Sequence, residues 1–178
     1  MIRGQGVAYD ELKQRVCEEI DRNADHLIQV GERIYRDPEL GFKEFRTAKI
    51  VATEFQRLGL GYHEEIAITG LKTMVAAGSA GPTVGVIGEL DSVLVADHEF
   101  ANPETGAAHC CGHNAQLITM LGVANGLLKS GALEELSGNV AFFAVPAEEY
   151  VEIDYRAQLR REGKTEFLGG KSEMIRLG

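Results

Sequence analysis

The sequence predicts a layered α/β/α fold around a mixed, mostly parallel sheet that is incomplete toward its C-terminal end. Three observations predict it. Residues 83–90 and 139–145 are near-continuous apolar runs, the pattern of strands buried on both faces. Between them, residues 114–130 place Leu117, Met120, Leu121, Ala124 and Leu128 at helical spacing, giving the order strand, helix, strand. After Glu149 no further apolar strand follows, so the sheet lacks its last members.

Taken in order, residues 9–35 read as one long helix. Leu12, Val16, Ile20, Ala24, Leu27, Val30 and Ile34 recur every three or four positions, Asp10 is the N-cap candidate, and the helix ends before Pro38. Residues 36–42 form a turn. Residues 44–58 read as a second helix, with Phe45, Ala48, Val51, Phe55 and Leu58 inward and Gly59 as its stop. Residues 62–67 are a short polar strand suited to a sheet edge, and residues 71–77 a second strand. Residues 78–82 make a turn into the run at 83–90. Residues 95–107 read as a surface loop, residues 152–163 as a short helix, and residues 164–178 as lacking a strand.

With 178 residues, one domain with a sizeable core is expected, and no linker or repeat divides the chain. A formal charge of −9 argues against nucleic acid or an anionic membrane as partner, because both favour a basic face. No apolar run is long enough to span a bilayer, and residues 1–6 lack the apolar core of a secretory leader. Two of the three cysteines, Cys110 and Cys111, are adjacent, which suits a reducing, cytoplasmic setting better than a disulfide scaffold.

Chemistry concentrates at three element ends. His109-Cys110-Cys111-Gly112-His113-Asn114 puts thiols and imidazoles on a glycine turn leading into a helix, and these are ligands that zinc-like ions prefer. Taken alone, Cys111 is equally a small buried hydrophobe and His113 a helix-start residue. His109 and Cys110 are spare candidates. The 139–145 strand runs on through Pro146 and Ala147 to Glu148 and Glu149. One of these can bind a cation while the other takes a proton from water; the plain alternative is a solvated acidic turn. Glu89 and Asp91 end the 83–90 strand two positions apart, facing one way. One can bind metal and the other orient a ligand, or both can simply cap the strand. Nucleophilic thiol chemistry by Cys110 or Cys111 is a further reading, but it leaves both acid pairs unexplained.

Four motifs now stand in order: Arg36-Asp37-Pro38-Glu39-Leu40-Gly41-Phe42, Gly88-Glu89-Leu90-Asp91, His109-Cys110-Cys111-Gly112-His113-Asn114, and Pro146-Ala147-Glu148-Glu149. Together they resemble the peptidase family M20 amidohydrolases, and the second and third are most similar to the branch containing aminobenzoyl-glutamate hydrolases. The resemblance implies a dinuclear site holding two divalent ions, Zn or Mn. Cys111, His113 and Glu149 match metal ligands, Glu148 matches the general base, and Asp91 matches the acid supporting the centre. Glu89 occupies a position that is a histidine ligand in other branches, and is taken as a metal ligand. The implied reaction is amide hydrolysis in small N-acyl amino acid or dipeptide-like substrates. Cys110 departs from the family's usual alanine, and the loop after residue 93 is longer than its compact form. The resemblance also implies that residues 1–178 are the N-terminal portion of a catalytic domain, without the lid and dimerisation domain and inactive by themselves. A non-catalytic metal-binding or interaction module of the same family is the alternative. An uncovered apolar sheet edge would favour a homo-oligomer.

Overall fold

The computed structural model describes residues 3–178. Met1 and Ile2, where the leader-free reading of the N-terminus begins, lie outside the described residues.

Helix α1 spans Arg3–Arg22 and α2 spans Ala24–Arg36, so the single helix expected over residues 9–35 is two. The break is at Asn23, whose backbone (φ −102°, ψ 6°) leaves the helical region. Asparagine hydrogen-bonds competitively with the helical backbone, whereas the apolar stripe runs on because both helices pack against the same neighbour. Asp10 lies inside α1 rather than capping it. Helix α3, Phe45–Arg57, starts on Glu39, whose carboxylate accepts the backbone N–H groups of Arg46 (3.3 Å) and Thr47 (2.8 Å). Val51, Phe55 and Leu58 are buried as expected, but Phe45 is 61% exposed, because the inward stripe begins one turn later. Gly59 ends the helix at φ +75°.

Strands β1 (His63–Ile66), β2 (Gly70–Ala76) and β3 (Ser79–Glu89) follow, then a two-stranded hairpin of β4 (Val93–Leu94) and β5 (Ala107–Ala108) that bounds the expected loop. The turn expected over residues 78–82 shrinks, because β3 already begins at Ser79. Helix α4 is His113–Lys129, α5 is Ala132–Glu135 and β6 is Ser137–Val145. Helices α6 (Ile153–Arg161) and α7 (Gly170–Leu177) complete the chain, the second within a stretch read only as lacking a strand.

The main sheet has the order β1-β2-β6-β3, with β1 at an edge as expected. It is mixed. The β1–β2 and β2–β6 pairs are antiparallel, and only β3–β6 is parallel, so parallel pairing is the minority, against expectation. The β3–α4–β6 crossover supplies the parallel pair. Its register, Gly88↔Ala144 and Glu89↔Val145, brings both strands to an end at the same level.

One sheet face carries the main core. Ile34, Val51, Phe55, Leu71, Leu117, Met120, Leu121 and Phe142 are fully or almost fully buried there; each such side chain contributes roughly 1.5–3 kcal/mol. Helices cover the other face only near the strands' carboxyl ends, where Val145, Ala147, Leu159 and Met174 surround Phe42. Strand β3 therefore departs from its expected two-sided burial. It is an edge strand, with Val84 58% and Ile87 50% exposed. Its apolar composition marks a strand built for covering, but among the described residues the α4-facing side is covered only from Val86 onward, leaving Val84 open, and Ile87 faces the other way.

Candidate metal centre

The shared end of β3 and β6, together with the start of α4, assembles the site. Gly112 adopts φ +90°, a conformation open to glycine, and this reverses the chain so that His113 is the first residue of α4. His113 is 4% exposed. Its Nδ1 lies 2.9 Å from the Asp91 backbone oxygen, and its Nε2 lies 2.8 Å from Glu89 Oε2. Glu148 Oε2 and Glu149 Oε1 are each 3.8 Å from Nε2. Burial alone would push the imidazole down, but hydrogen bonds with Asp91 and Cys111 outweigh it and push it up to about 11.

Two groups of possible ligands, each with its atoms within 4.8 Å of one another, share this imidazole. They are Cys111, His113 and Glu149, and Glu89, His113 and Glu148. Five of the six residues singled out in the sequence thus converge as possible ligands. The sixth, Asp91, is fully buried beneath them and accepts the Glu149 backbone N–H at 2.9 Å. The site suits a divalent cation, because its donors are a thiol, an imidazole and carboxylates. Buried polar atoms without hydrogen-bond partners point the same way: Asp91 Oδ1 and both ring nitrogens of His109. Burial and the nearby His113 push His109 down to about 4, which keeps its nitrogens free of a second proton. Cys110 is exposed and belongs to neither group.

Residues outside the six candidates hold the acids in place. Ala147, in the left-handed region at φ 49°, turns the chain so that Glu148 and Glu149 leave the strand end. Its N–H donates to Glu44 Oε1 at 2.7 Å, and Thr69 Oγ1 donates to Glu44 Oε2 at 2.6 Å. Arg156, fully buried on α6, donates through Nη1 to the Ala147 and Leu168 oxygens, both at 2.9 Å, and through Nη2 to the Glu149 oxygen. The Glu39 backbone oxygen accepts the Ser92 N–H and Oγ–H at 2.9 Å each, fixing the chain just beyond Asp91. The turn at residues 36–42 and the residues after it therefore brace both acid-bearing ends. A buried glutamate and arginine carry no local pattern, and only the Pro-Glu-Leu-Gly turn itself was visible beforehand.

Burial pushes Glu44 up to about 7, against the hydrogen bonds from Thr69 and Ala147. Its folded-state value thus lies above the unfolded one. The stability it contributes is full below about pH 4.5 and is lost as pH rises through about 7. The wild-type chain is expected to lose roughly 3 kcal/mol more than Glu44→Gln across that window. Urea denaturation of both proteins at pH 4.5, 6 and 8 checks this; parallel pH dependences would refute it.

No protein-family model matches the chain. It is 36% identical over 128 residues to IAA-amino acid hydrolase ILR1-like 5 of Arabidopsis thaliana, covering 70% of this chain and 29% of that protein. It is 30% identical over 143 residues to thermostable carboxypeptidase 2 of Saccharolobus solfataricus, covering 78% of this chain and 36% of that one. Among solved structures it superposes on Bacillus subtilis YXEP, a dinuclear metal binding peptidase from M20 family. The TM-score is 0.61 at 24% identity, covering 78% of this chain and 39% of that one. The chain thus spans about a third of the length of the curated relatives it matches.

Proposed function

The chain is a homologue of M20 amidohydrolases and carboxypeptidases and has their fold, and from that premise we propose that it supplies the metal-holding part of an amide hydrolase. Its substrates would be small N-acyl amino acids or peptide-like amides, in keeping with the names of its relatives. The observation that carries this reading is the convergence of five ligand-type side chains at one sheet end.

Each residue then has a role. Cys111, His113 and Glu149 would hold one divalent ion, and Glu89 would contribute to a second. When bound, Zn or Mn ions polarise the scissile carbonyl and acidify water at the site. Glu148 accepts the proton of the attacking water and returns it to the leaving amine. Asp91 positions rather than reacts: it orients His113 through its backbone oxygen and Glu149 through its carboxylate. Residues 3–178 would be one portion of a catalytic domain, with further ligands and substrate contacts supplied from the part of the relatives that this chain does not match. The three free cysteines are in keeping with a cytoplasmic protein. No helix among the described residues is long and apolar enough to cross a membrane.

Metal content tests the reading. The chain, loaded with Zn or Mn and desalted, is expected to retain at least about one ion, which a chelator removes and which Cys111→Ser with Glu149→Gln abolishes. Retention of no ion by the folded wild-type chain would overturn it.

A further inference from the structure

Helix α7 brings a cation to the acids. Lys171 Nζ lies 3.1 Å from Glu148 Oε1 and also pairs with Glu89 Oε1. Two features show that this placement is built into the fold. A lysine in the first turn of a helix opposes the helix dipole, which favours anions there, and the two carboxylates offset that cost. The helix also reaches the site only because its start carries no side chains. A Cβ on Gly170 would overlap the Pro146 carbonyl, and one on Gly169 would lie 2.7 Å from the Tyr150 hydroxyl. With both glycines in place, the Gly170 N–H donates to the Ala147 oxygen at 3.2 Å, docking α7 on the chain that carries Glu148.

The two candidate ligand groups are therefore unequal. The Nδ1 of His113 is engaged by the Asp91 backbone oxygen, so Nε2 alone is left for an ion and serves one at a time. If that ion sits with Cys111 and Glu149, a second is left with Glu89, with the general base Glu148 beside it, and these are the two acids that Lys171 clasps. The Lys171 side chain is 47% exposed and has solvent into which it can swing.

Resting on the metal-hydrolase reading, we propose that Lys171 is a tethered competitor for the second ion. It neutralises Glu89 and Glu148 while that position is unfilled and leaves when an ion enters. The chain then fills the Cys111–His113–Glu149 position first, and Lys171 sets the affinity of the other.

The test is a Co(II) titration of the 178-residue chain with Cys17 and Cys110 replaced by Ser. Thiolate-to-cobalt absorbance then reports the ion at Cys111 alone, while calorimetry reports all ions bound. Lys171→Met keeps the aliphatic stem and removes the charge. It is expected to raise the second ion's affinity by about tenfold, the scale of two partly exposed ion pairs, and to leave the first unchanged. Lys171→Arg, which keeps the charge, should stay close to the parent. A second-ion affinity unchanged in Lys171→Met, with the Cys111 signal present, overturns the role of Lys171 alone. A Cys111 signal missing from both folded proteins overturns the metal reading, and this one with it.

Discussion

Replacing Glu148 with Gln is expected to lower amide hydrolysis by about 10²–10⁴-fold, the usual contribution of a general base, with little change in bound metal. The substitution keeps the side chain's size and one oxygen but removes its capacity to take a proton. Glu148 is suited to that work by position. It leaves the end of β6 with its carboxylate 33% exposed, open to a substrate, while Glu149 is tied to Asp91 through its backbone N–H. The measurement is kcat and KM on an N-acyl amino acid, with metal counted in the same samples. It is made on the protein that carries these residues at the full length of its relatives. A fall confined to kcat, together with loss of the acid limb of the pH–rate profile, supports the base. Turnover retained within a few-fold would remove Glu148 from that role. Loss of metal in the variant would instead make it a ligand, as its place in the Glu89–His113–Glu148 group allows.

Arg156→Met is expected to cost about 3–5 kcal/mol of folding stability, the range found when one partner of a buried charge network is removed. The guanidinium is fully buried, and its donors serve the backbone oxygens of Ala147, Glu149 and Leu168. Its Nη2 is 4.0 Å from Asp91 Oδ2, and its charge also faces Glu44. Methionine would remove the Leu168 oxygen's donor and one donor each from the Ala147 and Glu149 oxygens, which keep the Gly170 and Val151 N–H groups, and would leave two buried acids without their cation. Arg156→Lys should recover only part of the loss, because one ammonium cannot reproduce a planar fork that reaches three carbonyls. Urea denaturation of both variants decides this, and a loss below about 1 kcal/mol in Arg156→Met would count against the network. Metal affinity should fall in parallel, because the same bonds hold the chain on either side of Glu148.

By itself the sequence determined which residues meet. Two apolar runs ending on acids, separated by a helical stretch, make a strand–helix–strand unit, and parallel neighbours end at the same sheet edge. That local logic placed Glu89, Asp91, Glu148 and Glu149 together, and the glycine before His113 placed the imidazole at the start of α4. Local patterning failed where the outcome rested on what lies outside an element. The run at 83–90 is apolar enough for two-sided burial, yet β3 lies at the sheet edge with one face uncovered. One apolar stripe marked a single helix although Asn23 breaks it, because a stripe records the partner's surface and not the continuity of the backbone.

The bracing of the site was decided by tertiary structure alone. Glu44 meets Ala147 across 103 positions of sequence, and Lys171 meets Glu148 from a helix that packs back over the strand end. No period or motif records such distant pairings. Each is a buried or half-buried charge whose partners exist only once the sheet has closed behind them, and a charge in low dielectric is held by whatever neighbours the completed fold provides.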